Sequence, residues 1–353
     1  MTNALPPGAT IGILGGGQLG RMLSMAAARL GLKTHIFEPA ANPPAGDVAH
    51  RVTTAGYDDI EALKTFANSV DVITYEFENI PTGALDVIDS VRPIRPTRKA
   101  LAVSQDRITE KAFLIDLGIT VAPYAQIDSL SDLTAALETI GTPAILKTRR
   151  FGYDGKGQAR ITDITQAEDA FIALKGAPAV LEGFVNFTRE VSVIAARGID
   201  GAVVCYDPGE NIHKDGILDT TTVPAALAAG QHMDAILLAG KILNALDYVG
   251  VMGVELFITD NGLIVNEIAP RVHNSGHWTQ NACVIDQFEQ HIRAVAGWTL
   301  GDGQRHSDAV MTNLIGEDVL DHPNLDGALH LYGKSDVKPG RKMGHVNRIS
   351  PKG

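Results

Sequence analysis

Residues 10–38 constrain the fold of this chain more than any other stretch. Thr10-Ile11-Gly12-Ile13-Leu14 is a short apolar run that predicts a buried strand. It enters a glycine turn, Gly15-Gly16-Gly17, followed by Leu19, Met22, Leu23, Ala26 and Ala27 at helical spacing. Lys33 to Phe37 reads as a second strand that ends at Glu38. A strand, a turn poor in Cβ atoms, a helix and another strand make a β-α-β unit. Such a unit commits its region to a doubly wound parallel sheet. Ile60 to Ala67 adds a helix and Val70 to Tyr75 a strand, which predicts an N-terminal α/β domain over residues 1–105.

The chain has 353 residues, more than one ordinary domain holds. Beyond a helix predicted over Asp106 to Leu117, stopped by Gly118, the pattern turns α+β. Strand-like runs at Tyr124–Ile127, Ala144–Lys147 and Val180–Glu182 alternate with helical Leu130–Ile140 and Thr165–Leu174. These place a linker helix and a small central domain at 106–185. A larger α+β domain, 186–353, has strands near Glu190–Ala196, Val203–Tyr206, Val251–Ile258 and Leu263–Ile268, with a long helix over 228–246. Its tail, from 305, is richer in Gly, His and Asp, with strands expected at 309–315 and 328–332.

A net charge of −11 makes nucleic acid and anionic membranes poor partners. Any anionic substrate must therefore be held by local clusters of cations. Cys205 and Cys283 cannot build a disulfide framework, which predicts a reducing compartment. No basic segment followed by an apolar one opens the chain, and Lys241, Asp247, Gly250 and Glu255 interrupt its most apolar stretch, 235–258. A cytoplasmic protein without a leader or a membrane span is expected.

The richest chemistry lies in Lys147-Thr148-Arg149-Arg150-Phe151-Gly152-Tyr153-Asp154-Gly155-Lys156-Gly157-Gln158. Three glycines let backbone N–H groups approach phosphate oxygens, and Lys147 and Lys156 supply charge. It is not a Walker loop, because Gly157 follows Lys156. A plain hairpin with solvated lysines would look the same in isolation, so the surroundings decide. Gly15 to Gly20 fits G-x-G-x-x-G with Glu38 as a ribose acid, an NAD signature. No dehydrogenase-type catalytic domain follows, however, and a bare helix N-terminus accepts any phosphate.

Downstream, Leu181-Glu182-Gly183-Phe184-Val185 offers backbone groups and apolar cover to an adenine, against the blander reading of an interdomain strand. Glu190 could accept ribose hydroxyls. Glu255 and Glu267 both lie within apolar strand patterns, and with Asn266 they compose a hard oxygen site suited to Mg²⁺ bridging phosphates. One salt-bridged strand carboxylate is common; two beside a phosphate loop are less so. Arg271-Val272-His273-Asn274-Ser275-Gly276-His277-Trp278-Thr279 is too polar for core, and Arg271 suits an oxyanion.

Taken in order, these motifs, with Tyr75-Glu76-Phe77-Glu78-Asn79 and Ser104-Gln105-Asp106-Arg107, closely resemble the N5-carboxyaminoimidazole ribonucleotide synthetase family over residues 10–348. The resemblance implies a three-domain ATP-grasp fold. It implies an ATP-dependent carboxylate-amine ligase of purine biosynthesis, joining bicarbonate to 5-aminoimidazole ribonucleotide through carboxyphosphate, with ADP and phosphate released. ATP and Mg²⁺ are the implied cofactors, and a homodimer the implied assembly. By the same resemblance, Arg107 and Lys147 would contact the ATP phosphates and Gly152, Tyr153, Asp154, Gly155, Lys156, Gly157 and Gln158 would cover them. Glu182, Gly183, Phe184 and Val185 would hold adenine, Glu190 the ribose, and His213 would line the site. Asn266, Glu255 and Glu267 would hold the metal. Gln18, Glu76, Arg271, His273 and Asn274 would face the ribonucleotide, with Lys334 and Arg341 on its 5′-phosphate. Lys147, Asp154, Lys156 and Arg271 are the expected catalytic groups.

Two positions depart from the family. Arg107 replaces a lysine found in many ATP-grasp relatives, and Val272 replaces a usual proline, which predicts a looser loop. Rival expectations are a formate-using glycinamide ribonucleotide transformylase, an NAD-dependent dehydrogenase and a silent nucleotide sensor.

Overall fold

The structure, a computed structural model, describes residues 4–152 and 156–353. Its N-terminal part is built on β1 (Thr10–Leu14), β2 (Lys33–Phe37), β3 (Arg51–Thr53) and β4 (Val72–Tyr75). They lie in the order β3-β2-β1-β4, every pair parallel. Helices α1 (Gln18–Arg29), α2 (Ile60–Asn68) and α3 (Thr82–Asp89) cover the sheet. Ile11 and Ile13 face α1, while Leu14 and Ile73 face α2 and α3. Gly12 is obligatory here, since a Cβ would come within 2.8 Å of the Phe66 ring. The strand order reverses between β1 and β4, and at such a switch point the carboxyl ends of the strands open a crevice for ligands.

Helices α4 (Arg98–Ser104) and α5 (Arg107–Asp116) lead out of this layer. The Asp106 carboxylate caps α5 by accepting from the Ile108 and Thr109 N–H groups. A small antiparallel sheet follows, β5 (Tyr124–Ile127), β6 (Ala144–Thr148), β7 (Gln158–Ile161) and β8 (Ala179–Gly183), in the order β5-β8-β6-β7. Its helices, α6 (Leu130–Ile140) and α7 (Ala167–Ala173), share one apolar core with Leu146 and Leu181.

The third sheet is the largest. It contains β9 (Arg189–Arg197), β10 (Val203–Cys205), β11 (Gly209–Lys214), β12 (Ile217–Val223), β13 (Gly250–Thr259), β14 (Gly262–Ala269), β15 (Ser307–Ile315), β16 (Ala328–Leu331) and β17 (Lys342–Pro351). The order is β14-β13-β9-β11-β12-β15-β17-β16, with β10 paired to β9. Helices α8 (Ala229–Ala245), α9 (Thr279–Ala282) and α10 (Gln287–Ala296) complete it.

Several elements were not foreseen from the sequence. The hairpin β11–β12 carries His213, Lys214, Asp219 and four consecutive polar or β-branched residues, so no apolar alternation marks it. Strand β17 is hidden differently: its buried residues include His345 and Asn347. Their polarity is met in part, by Tyr332 Oη at 2.9 Å from His345 Nδ1 and by Asn347 Nδ2 donating to Asn281 Oδ1 at 2.8 Å, while His345 Nε2 and Asn347 Oδ1 are buried without a partner.

Helix α10 joins the first sheet to the third through His291. The Val251 N–H donates to His291 Nδ1 at 3.0 Å, and Nε2 lies 2.8 Å from Thr74 Oγ1. Because Nδ1 accepts, Nε2 carries the proton and donates to the threonine. Burial drives the His291 pKa from 6.5 down to about 3, so the folded ring stays neutral. The unfolded chain takes up a proton below its ordinary pKa that the folded chain refuses. Stability therefore falls as pH drops from the usual histidine range toward 3. His291→Leu strands two buried polar groups and should cost about 2–4 kcal/mol at pH 7, read by denaturant unfolding. It should also flatten that acid dependence; an unchanged slope would refute the role.

Candidate active site

Helix α5 presents an unusual inner face. Residues 107, 110, 111 and 114 fall on one side, and three of them are Arg107, Glu110 and Lys111. Glu110 and Lys111 are buried, so each needs a partner. The Lys111 ammonium lies 3.0 Å from Glu182 Oε1 on β8, and Lys147 Nζ on β6 donates to Glu182 Oε2 at 2.9 Å. Two lysines therefore share one carboxylate. Burial alone would raise the Glu182 pKa, but Lys147, Lys111 and Arg107 hold it down at about 2. Glu110 accepts from the Ile268 N–H at 3.1 Å. Burial and the nearby Glu267 push its pKa up to about 8.

Facing these cations are the two strand carboxylates. Glu255 on β13 pairs directly with Glu267 on β14, and the next pair is Leu256 with Val265. Asn266 is thus the extra residue of a β-bulge. In a regular strand Asn266 and Glu267 would point to opposite faces; the bulge re-aims them. Asn266 Nδ2 reaches Glu255 Oε2 at 3.5 Å, and Arg107 donates to Glu267 Oε2 at 2.8 Å. Despite burial, Arg107 and Lys147 keep Glu267 ionised, while burial and the Glu267 charge push Glu255 upward. His273 Nε2 lies 3.4 Å from Glu255. Burial and the Arg271 and Lys342 charges pull the His273 pKa down to about 3. Alongside, His213 Nδ1 lies 3.2 Å from Glu190 on β9.

The glycine-rich loop springs from β6 and returns through β7, where Lys147 pairs with Gln158. Gly157 has φ +70°, and a Cβ there would meet Thr148 Oγ1 at 2.7 Å. Gly152 presents its carbonyl to Arg107 at 3.4 Å. The expected roles of Tyr153, Asp154 and Gly155 lie outside the described residues, and Lys156 is exposed. At the proposed adenine strand, the Gly183 and Phe184 N–H groups are already taken by the Pro123 and Pro143 carbonyls, at 2.8 and 3.0 Å. Arg160 covers the Phe184 ring at 4.7 Å. The carbonyls there and Val185 are what an adenine edge would meet.

The N-terminal turn is filled by the protein itself. The Glu38 carboxylate accepts from Gly16 N–H at 2.8 Å and from Ala40 N–H at 3.0 Å. Glu76 accepts from Gly17 and, at 2.6 Å, from Gly20, so it caps α1 from the residue that follows β4. A Cβ at Gly15 or Gly17 would collide with Glu76, at 2.5 and 2.6 Å. These glycines make room for a carboxylate, which removes the case for a dinucleotide phosphate. Gln18 is half-buried at the start of α1.

Arg271 stands between the two regions, and the charges of Glu78, Glu267 and Glu76 act on it. Its Nε donates to Glu78 Oε2 at 2.6 Å. Contrary to the looser loop expected from Val272, that residue is fully buried and Gln287 bonds both the N–H and the carbonyl of His273, at 2.9 and 2.7 Å. Asn274 pairs with Asn313 at 2.9 Å. In the tail, Lys334 donates to the Lys342 carbonyl at 2.7 Å and Arg341 to the Asp336 carbonyl at 3.0 Å.

Sequence reasoning missed Lys111, Glu110, Glu78 and Lys342. Charged residues on the inner face of α5 were a legible signal for the first two. Lys342, beside the expected Arg341, acts on Glu255 and His273 from β17, an element the sequence did not reveal.

Among the described residues, no three His, Cys, Asp or Glu side chains are placed to hold a metal. Glu255, Glu267 and Asn266 offer a partial oxygen set, which fits a cation whose remaining ligands come from phosphate and water. No helix among them is long and apolar enough to cross a membrane.

Comparison with known proteins gives consistent matches. Residues 8–105 match the ribonucleotide synthetase preATP-grasp domain, 112–288 the ATP-grasp domain, and 309–352 the phosphoribosylaminoimidazole carboxylase C-terminal domain. An N5-carboxyaminoimidazole ribonucleotide synthase of Brucella melitensis is 56% identical over 99% of this chain and 98% of that protein. A crystal structure of an ADP complex of N5-carboxyaminoimidazole ribonucleotide synthetase superposes with a TM-score of 0.96, at 41% identity, over 99% of this chain and 94% of that one. The Aspergillus clavatus enzyme in complex with ADP and 5-aminoimidazole ribonucleotide gives 0.92 at 31% identity, over 98% and 95%.

Glu182→Gln should destabilise the fold by about 3–5 kcal/mol at pH 7, because two buried ammonium groups lose their counter-charge. With its pKa depressed, Glu182 contributes stability above the ordinary carboxylate range that disappears as pH falls toward 2. The variant should therefore show a shallower acid limb in unfolding; a loss below about 1 kcal/mol would contradict the shared-carboxylate reading.

Proposed function

The chain belongs to the N5-carboxyaminoimidazole ribonucleotide synthase family of ATP-grasp enzymes, and on that premise we propose how its own residues divide the work. The protein is a ligase that uses ATP to carboxylate 5-aminoimidazole ribonucleotide, giving N5-carboxyaminoimidazole ribonucleotide for purine biosynthesis. The finer reading rests on one observation: Arg107 bonds Glu267, the Lys147 charge acts on it, and Glu267 forms a cross-strand pair with Glu255.

Bicarbonate is the carboxyl source in this reading. One of its oxygens attacks the γ-phosphorus of ATP, the bond to ADP breaks, and carboxyphosphate results. Arg107, Lys147 and Lys156 neutralise charge on the transferring group, where positioning and electrostatics supply most of the acceleration. Lys111 matters here because it stays on Glu182 when Lys147 turns to phosphate, leaving no buried carboxylate unpaired. Glu255, Glu267 and Asn266 would hold Mg²⁺, which supplies positive charge at the phosphates. The amino nitrogen of the ribonucleotide then attacks the carboxyl carbon of carboxyphosphate, or CO₂ released from it. Phosphate departs and the nitrogen loses a proton.

Arg271, held by Glu78 through Nε and NH2, offers its outer guanidinium edge to the carboxyl group, and neutral His273 adds no competing charge beside it. Gln18, Glu76 and Asn274 face the ribonucleotide, with Lys334 and Arg341 assigned to its 5′-phosphate. Glu182 to Val185, Glu190 and His213 line the adenosine side. Asp154 orients a phosphate-bound group. The three sheets support a division into domains at 1–105, 106–185 and 186–353. A cytoplasmic homodimer completes the proposal; exposed Leu329, Leu331 and Val310 share one face of the outer strands and give it an apolar surface, and light scattering should return twice 37.5 kDa.

ADP release measured with and without 5-aminoimidazole ribonucleotide and bicarbonate tests the reaction, with formate as the competing substrate. Lys147→Ala should lower that release by about a hundredfold or more while the fold persists, since Lys111 still holds Glu182. Normal turnover in this variant would remove Lys147 from the phosphates. Glu267→Gln should raise the magnesium requirement about tenfold or more. Because burial and Glu267 keep a proton on Glu255, the wild-type requirement should fall as pH rises above the usual carboxylate range. Unchanged metal dependence in both measurements would refute the metal assignment.

A further inference from the structure

Gln105 belongs to the Ser104-Gln105-Asp106-Arg107 motif, yet no role has fallen to it. It is buried between the turn that follows β4 and the base of the glycine-rich loop. Its Nε2 donates to the Glu78 carbonyl at 2.7 Å and to the Ile80 carbonyl at 2.9 Å. Its Oε1 accepts from Arg150 at 3.0 Å. Only a side-chain amide meets that demand of two donors and one acceptor; a glutamate lacks the donors and a methionine lacks both.

The residues on either side extend the junction. Asp106 pairs with Arg149 through Nε at 3.0 Å and NH2 at 2.8 Å, and the Arg107 N–H donates to the Arg149 carbonyl at 3.0 Å. Arg107 reaches Glu267 on the phosphate side. On the other side, the residue whose carbonyl Gln105 holds is Glu78, and the Glu78 carboxylate holds Arg271. Three consecutive residues thus tie a phosphate-side cation and a carboxyl-side cation to one point.

We propose that Gln105 is a positioning residue that sets the register between the site where ATP is cleaved and the site where the carboxyl group is captured. The inference rests on the reaction assigned above. Carboxyphosphate formed beside Arg107 must meet the amine at a fixed distance, and a displacement near 1 Å can cost about a hundredfold. When the amine is late, water attacks instead, returning bicarbonate and phosphate, so that ATP is consumed without product. Loss of Gln105 should therefore uncouple the reaction rather than merely slow it.

The test measures ADP and carboxylated product together, at saturating ATP, for wild type, Gln105→Met and Gln105→Glu. Thermal unfolding and ADP affinity establish that each variant is folded. Wild type should release about one ADP per product, and both variants about three or more, since only the partition of the intermediate changes. The glutamate keeps the size of the side chain and its contact with Arg150, so it decides the matter if the methionine variant does not fold. A ratio that stays at one while both rates fall together would overturn the proposal and leave Gln105 a structural residue. Wild type releasing no bicarbonate-dependent ADP would instead overturn the assigned reaction.

Discussion

Much of this structure depends on burying carboxylates that need cations. Glu182 and Glu267 are enclosed among Arg107, Lys147 and Lys111, and beside them Glu110, pushed up to about 8 by burial and the Glu267 charge, tends to keep its proton. Attraction between close charges near a protein surface amounts to about 4 kcal/mol, but removing each ion from water costs several. Such a cluster therefore adds little net stability, and apolar residues of similar size would serve the fold as well. Its value lies in holding charge at fixed points. Lys147 and Lys111 share Glu182, so that carboxylate keeps a cation if either one is withdrawn.

Two backbone devices bring those charges into one space. A bulge at Asn266 turns what alternation would scatter onto one face, so that Asn266, Glu267 and Glu255 converge. The reversal of strand order between β1 and β4 opens a crevice, and Glu76 crosses it to cap α1. A glycine turn that resembles a dinucleotide site thereby becomes a seat for an acid. Arg271 lies between the bulge and the crevice, under the influence of Glu267 and Glu76 alike.

Legibility followed physical cause. Strands β1, β2 and β4 and helix α5 could be read because apolar residues recur at the spacing their geometry demands. Glu255 and Glu267 stood out as acids within apolar runs. Strand β17 and the hairpin β11–β12 gave no such signal, since hydrogen bonds from His345 and Asn347, and partial exposure, replace apolar burial. Lys111 was missed although its helical position predicts an inward side chain. A lysine is ordinarily assumed to be solvated, and only its partner on a strand seventy-one residues later explains it.

The order of motifs along the chain was enough to determine the family and the α/β beginning, and to nominate side chains for phosphate and metal chemistry, because these depend on residue type and local period. Partnership was decided only by the tertiary structure. That Glu76 is held at a helix end, that Lys147 is shared, and how Gln105 connects Glu78 to Arg150 are matters of which surfaces meet. Such contacts join residues tens of positions apart, and no local spacing encodes the distance between them.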